Sequence, residues 1–172
     1  MKKLAIRGSF ALYTMLAAGG AAWAADAPAT ADVLAKLHQS NQKEIAMGKL
    51  AQKNGQSKEV KNYGKTLVKD HSAADKKVLG LAKKQKIDLP ADDAKHGDMD
   101  LGTGADFDMK FAQMMLEDHK KDVAEATAAR DSTTDDKLKT LLTGLVPTLQ
   151  KHQDTAQALV DGAKKSETQA TK

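Results

Sequence analysis

The stretch DLPADDAKHGDMDLGTGA, residues 88–105, decides the fold, because it is the longest part of the chain beyond residue 31 without helical periodicity. Pro90, Gly97, Gly102 and Gly104 punctuate it, and such residues mark loops rather than elements. Fully extended, it reaches nearly 60 Å at roughly 3.3 Å per residue. A helix of about 25 residues measures ~38 Å, so the segment is long enough to cross a whole bundle. The other two connections, Asn54 to Ser57 and Asp131 to Thr134, are short enough to force antiparallel hairpins. Two hairpins joined by one long crossover is the expected topology, with a simple up-down bundle and a loose loop as the alternative.

On either side of that stretch the sequence is rich in Ala, Leu, Lys, Gln and Glu, with no run of alternating β-branched residues. The pattern is all-α. A first helix runs from about Asp32, read as its N-cap, to Asn54, with Leu37, Glu44, Met47 and Ala51 on one stripe. The second starts after the cap Ser57, carries Val60, Gly64, Leu67, His71, Ala74 and Val78, and ends before Pro90. A third opens near Asp106 and aligns Phe107, Phe111, Met115, His119, Asp122 and Ala126. The fourth begins around Thr134 and aligns Leu138, Leu141, Leu145, Leu149, His152, Ala156 and Leu159. Each apolar stripe thus carries a polar intruder. Pro147, well inside the fourth helix, lacks the N–H that the Thr143 carbonyl needs and predicts a kink one turn before His152. Tyr63, Leu67, Asp70 and His71 repeat the spacing of Phe111, Met115, Asp118 and His119, an echo that suggests, without establishing, duplication of a helix.

Residues 1–24 stand apart from this pattern. Lys2, Lys3 and Arg7 precede an apolar stretch from Phe10 to Ala18, and Ala22-Trp23-Ala24 reads as a processing site. The expected organisation is a signal peptide (1–24), a flexible N-terminus (25–31), the bundle domain (32–163) and a disordered polar tail (164–172), with cleavage after Ala24 and a periplasmic address. No second long apolar run exists, so no membrane span is expected after processing. Losing Lys2, Lys3 and Arg7, which have no acid beside them, lowers the net charge from +4 to +1. The remaining lysine pairs, such as Lys76-Lys77 and Lys120-Lys121, are interleaved with acids and read as solvated faces, which argues against nucleic acid. The chain has no cysteine, which excludes a disulfide scaffold, a thiolate zinc site and a cysteine nucleophile. No other nucleophile motif is present, so a non-catalytic protein is expected. The sequence names neither a protein partner nor an oligomeric state.

Three motifs taken together resemble a known family. They are Tyr63-Gly64-x-x-Leu67 followed by Asp70-His71, Phe107 and Met115 followed by Asp118-His119, and Leu145-x-Pro147-x-Leu149-x-x-His152. The chain is similar to bacterial exported proteins carrying the domain of unknown function 4142, in the ferritin-like group of four-helix bundles. That resemblance implies a periplasmic or outer-envelope bundle with no established reaction.

The polar intruders admit two chemistries. A ferritin-type di-iron site requires Glu-x-x-His on two helices, but Val68, Leu116 and Leu149 stand three residues before His71, His119 and His152. That pattern is contradicted. One divalent ion, Zn, Cu or Fe, held by His71, His119 and His152 with Glu44 from the remaining helix is compatible with imidazole and carboxylate ligation. Asp75, four residues after His71, and Asp122, three after His119, are placed to accept the second ring N–H. Asp70 and Asp118 lie a quarter-turn from the histidines, as helix-surface carboxylates or inter-helix partners. Glu44 and His71 differ by about 6 Å in level, counted from the hairpin turn at 1.5 Å per residue, and His38 is closer. The plainer reading, in which these are buried core histidines bonded to carboxylates and backbone, comes first on commonness. His96 in the crossover reads as surface, and Met114 and Met115 as core filling rather than soft ligands. Two function classes follow: a metal-binding periplasmic bundle, or a structural or envelope-stress interaction module without metal.

Overall fold

The computed structural model describes residues 29–91 and 101–170. Four helices follow in order: α1 (Thr30–Asn54), α2 (Lys58–Gln85), α3 (Ala105–Ser132) and α4 (Asp136–Ala170). Among the described residues there is no strand. The processing site, the middle of the crossover and His96 lie outside the described residues.

Local chemistry sets most of the boundaries. Ser57 caps α2, its hydroxyl accepting the Val60 N–H at 3.2 Å. Lys86 closes that helix in a left-handed conformation, with Ile87 N–H bonded back to the Ala82 carbonyl at 2.9 Å, a closure of the type that satisfies orphan carbonyls at helix ends. Helix α4 starts at Asp136 rather than around Thr134, and Asp135 caps it, its Oδ1 accepting from Lys137 N and Leu138 N. Asp32 is not the cap of α1: the helix starts at Thr30, and Asp32 sits in its first turn, where a carboxylate suits the helix dipole. Helix α4 passes Pro147 without interruption and continues past Lys164 to Ala170. Nothing after Gly162 breaks a helix by propensity.

Cross-helix bonds establish the topology. Asp108, at the start of α3, accepts the Gln56 and Ser57 N–H groups at the start of α2, each at 2.8 Å. At the other end Gln85, the last residue of α2, donates to Asp135 at the start of α4 at 2.6 Å, and Thr30 donates to the same carboxylate at 3.1 Å. Helices α2 and α3 therefore run parallel, which two consecutive helices can do only if the chain returns along the whole bundle between them. The expected architecture of two antiparallel hairpins, α1–α2 and α3–α4, joined by a long crossover is what the helices form.

Two apolar clusters fill the interior, each drawing on all four helices. One holds Met47, Tyr63, Leu67, Phe107, Phe111 and Ala156; the other holds Leu34, Val78, Ala126, Leu138 and Leu142. Between them lies a layer of buried polar side chains: Asn41, Glu44, His71, Asp75, His119 and His152. Gly48 and Gly64 bring α1 and α2 together, since a Cβ on either would lie 2.7 or 2.6 Å from the other's carbonyl oxygen. This close approach holds the hairpin in one register, with Asn41 opposite His71 and His38 opposite Asp75.

Candidate metal centre

Helices α2, α3 and α4 each deliver one imidazole to the polar layer. His71, His119 and His152 are all buried, and one nitrogen of each lies within 4.8 Å of the others. Ring centroids are separated by 5.1 Å (His71–His152), 5.2 Å (His119–His152) and 5.6 Å (His71–His119). One nitrogen of each ring is tied down by a different kind of acceptor. His71 Nδ1 donates to Asn41 Oδ1 at 2.9 Å, His119 Nδ1 to the Met115 carbonyl at 2.9 Å, and His152 Nε2 to Asp70 Oδ2 at 3.2 Å.

Those bonds decide the tautomers. An amide oxygen, a carbonyl and a carboxylate can only accept, so the bonded nitrogens carry the protons. His71 Nε2, His119 Nε2 and His152 Nδ1 are then lone pairs, and all three are buried without a partner. Unpartnered buried acceptors cost about 1–3 kcal/mol each, and here three lie in one layer. A single cation satisfies them together. Ligands of one zinc ion sit about 2 Å from the metal and 3–4 Å from each other, and one nitrogen of each of these rings lies within 4.8 Å of the others.

The protonation states agree with ligation. Burial, then the neighbouring His152 and His119, holds His71 well below the ordinary histidine range. Burial likewise pushes His119 down to about 4, although its bond to Met115 pulls the other way. His152 is also lowered by burial, against the opposing influence of Asp70. All three are neutral at pH 7, as metal ligands must be.

Not every residue expected at the site is there. Glu44 is buried in the same layer, but the cluster of ligand atoms comprises the three histidines without it. In the hairpin register His71 faces Asn41, three residues from Glu44, or about 4.5 Å along the helix. Burial, followed by the charges of Asp118 and Asp122, pushes the Glu44 carboxyl up to about 8, and its Oε2 has no partner. Asp75 does not accept from His71; it takes His38 Nδ1 and Gln42 Nε2, both at 2.7 Å. Asp122 does not accept from His119; it takes the Ser40 hydroxyl at 2.7 Å. In both cases the donor comes from α1. His38, held by Asp75, stays outside the cluster. Asp70 and Asp118 are inter-helix partners, of His152 and of Lys43 (2.7 Å) respectively. Met115 contributes its carbonyl rather than its sulfur, while its side chain is core.

Two contributors escaped the sequence reading. Asn41 orients His71, and its only signal in the sequence is its level opposite His71 once the hairpin register is set by Gly48 and Gly64. Tyr63 packs its ring 6.2 Å from His152 and 6.5 Å from His119, and its hydroxyl donates to the His152 carbonyl at 2.9 Å.

The centre is not sealed. A cavity of about 630 Å³ opens between α1 and α3, lined among others by Asn41, Glu44, Asp118 and Asp122, and His71 and His152 lie on its wall. Lys43–Asp118 and Ser40–Asp122 span it from α1 to α3.

A family model described as "Domain of unknown function (DUF4142)" covers residues 16–159. No curated protein and no solved structure matches.

Proposed function

The chain belongs to the DUF4142 family, and we propose that it is an exported, non-catalytic bundle that binds one divalent transition-metal ion through His71, His119 and His152. The observation that carries this reading is the cluster of three buried histidines, one nitrogen of each within 4.8 Å of the others, in which every ring has one nitrogen without a partner and the other bonded to Asn41, Met115 or Asp70. Three neutral imidazoles suit zinc, copper or iron and leave further positions open. No helix among the described residues is long and apolar enough to cross a membrane. The basic start, apolar stretch and A-x-A sequence of residues 1–24 support delivery to the periplasm.

The test is metal analysis of the purified protein, with melting curves in Zn, Cu or Fe and in chelator. One ion per chain and a metal-dependent rise in Tm are expected, since a ligand that binds the native state raises stability by mass action. Replacing any one of the three histidines with Ala removes both. A protein that holds no ion, and whose Tm ignores metal and chelator, is a structural module instead. Intact mass of the periplasmic product reads the export proposal; it should begin near Ala25.

A further inference from the structure

The histidines have to be reached. At both ends of the bundle they are closed off by the apolar clusters built around Phe107 and Phe111 and around Leu138 and Leu142, and a hydrated cation does not cross such a core. Toward α2 and α4 the Tyr63–His152 and Asp70–His152 bonds join the two helices. The α1–α3 cavity is different. It leads from the surface to His71 and His152, and its lining carries five acids, Glu44, Asp70, Asp118, Asp122 and Glu125, against three lysines. Two of those lysines are already tied, Lys43 to Asp118 and Lys121 to Glu125 at 3.8 Å.

Among the acids of that lining Glu44 is singular. It is 1% exposed, faces the cavity, and has one carboxylate oxygen with no partner. It lies on the helix that supplies no imidazole, in the same polar layer as the histidines but outside their cluster. We propose that the α1–α3 cleft is the route by which a divalent cation reaches the histidines, with Asp118 and Asp122 drawing the ion in and Glu44 acting as its transit ligand. This rests on the histidine site proposed above. Carboxylate oxygens suit an ion that still holds part of its water, and imidazole nitrogens then take over as final ligands. The arriving charge itself favours the ionised form of Glu44. Lys43, bonded to Asp118 and about one-third exposed, must swing away for the ion to pass and so acts as the gate.

The experiment measures uptake kinetics and final occupancy of the full chain, stripped of metal and mixed rapidly with Zn²⁺ or Co²⁺. Asp118→Asn/Asp122→Asn and Glu44→Gln are expected to load about tenfold more slowly while reaching one ion per chain. Lys43→Gln loads faster, and exposed Glu59→Gln and Asp154→Asn, away from the cleft, load as wild type. The wild-type rate falls with ionic strength, as a steered encounter must. Unchanged rates in both cleft variants, with full occupancy, overturn the route but leave the histidine site intact. Absence of any bound ion in the wild type overturns both. Should Glu44→Gln fold poorly by circular dichroism, the double aspartate variant at half-exposed positions reads the same outcome.

Discussion

His71 and Asn41 face each other across the α1–α2 hairpin, with His71 Nδ1 donating to the Asn41 amide oxygen at 2.9 Å. This bond leaves Nε2 of His71 buried without a partner, and it is the contribution of α1 to a centre whose imidazoles all come from the other three helices. Replacing an outer partner of a metal-bound histidine commonly costs 10–100-fold in affinity. Asn41→Ala is accordingly expected to weaken binding by about that factor without abolishing it, in a competition titration against a chromophoric chelator. Asp70→Ala should do the same through His152, whereas Asp70→Asn, which keeps an accepting oxygen, should lose less. Wild-type affinity in both alanine variants would separate these bonds from metal binding.

The metal-free protein should have a narrow pH optimum. Histidine titrates near 6.5 and glutamate near 4.3 when unfolded, both approximate values. Between about 4 and 6.5 the unfolded chain binds a proton at His119 that the folded chain refuses, and His71 and His152 are shifted in the same direction. Stability therefore falls as pH drops through this window. Glu44 acts oppositely: folded, it keeps its proton up to about 8, so stability falls as pH rises from about 4.3 to 8. Three histidines outweigh one glutamate on the acid side, and Glu44 acts alone above 6.5. Melting in chelator from pH 5 to 9 should show a maximum near 6.5, and Glu44→Gln should flatten the alkaline limb while sparing the acid one.

A leucine in place of His119 should stabilise the metal-free chain. The side chain is fully buried, and its Nε2 is an acceptor with nothing to accept. Removing it eliminates a desolvation cost of about 1–3 kcal/mol and loses one bond to a backbone carbonyl. His119→Leu is expected to melt no lower than wild type in chelator and to show no response to metal. A large loss of stability in chelator would mean that the imidazole is there for packing.

Much of this is legible in the sequence. Helical periodicity placed His71, His119 and His152 on inward stripes, and the length of 88–105 implied the crossover that makes α2 and α3 parallel. What periodicity cannot supply is the rotation and level of one helix against another. That is why Asp75 and Asp122, well spaced to serve the histidines of their own helices, were mistaken for their partners: Ser40, His38 and Gln42 reach them from α1. It is also why Glu44 was placed among the ligands and Asn41 was overlooked, although counting residues from the turn had already put Glu44 at the wrong level.

Gly48 and Gly64 set that level, and the contact admits no side chain. A Cβ at Gly48 would meet the Gly64 carbonyl at 2.7 Å, and one at Gly64 would meet the Gly48 carbonyl at 2.6 Å. Backbone cannot step aside as a flexible side chain can, so either alanine should cost about 1–3 kcal/mol by overpacking, read by denaturant unfolding. Because α1 must move to make room, Asn41 loses its reach to His71, and metal affinity should fall in parallel. Gly80→Ala, where a Cβ meets nothing within 4 Å, should instead be neutral or stabilising.

Pro147 gives the opposite expectation. It is exposed and lies inside α4, where proline disfavours a helix by about 3 kcal/mol. Pro147→Ala should raise Tm. If it also weakens metal binding, the proline is there to shape the segment leading to His152 rather than to bend α4 around the core.

The two apolar clusters, each sharing all four helices, mean that the molecule is divided crosswise rather than into its hairpins. Neither hairpin can detach without dismantling both ends, so fraying should begin at one end and stop at the waist. Amide exchange should then report two blocks of protection with a more labile belt around His71, His119 and His152. An ion in that belt would bind one helix of the first hairpin to both helices of the second, and would fuse the two blocks into a single cooperative unit.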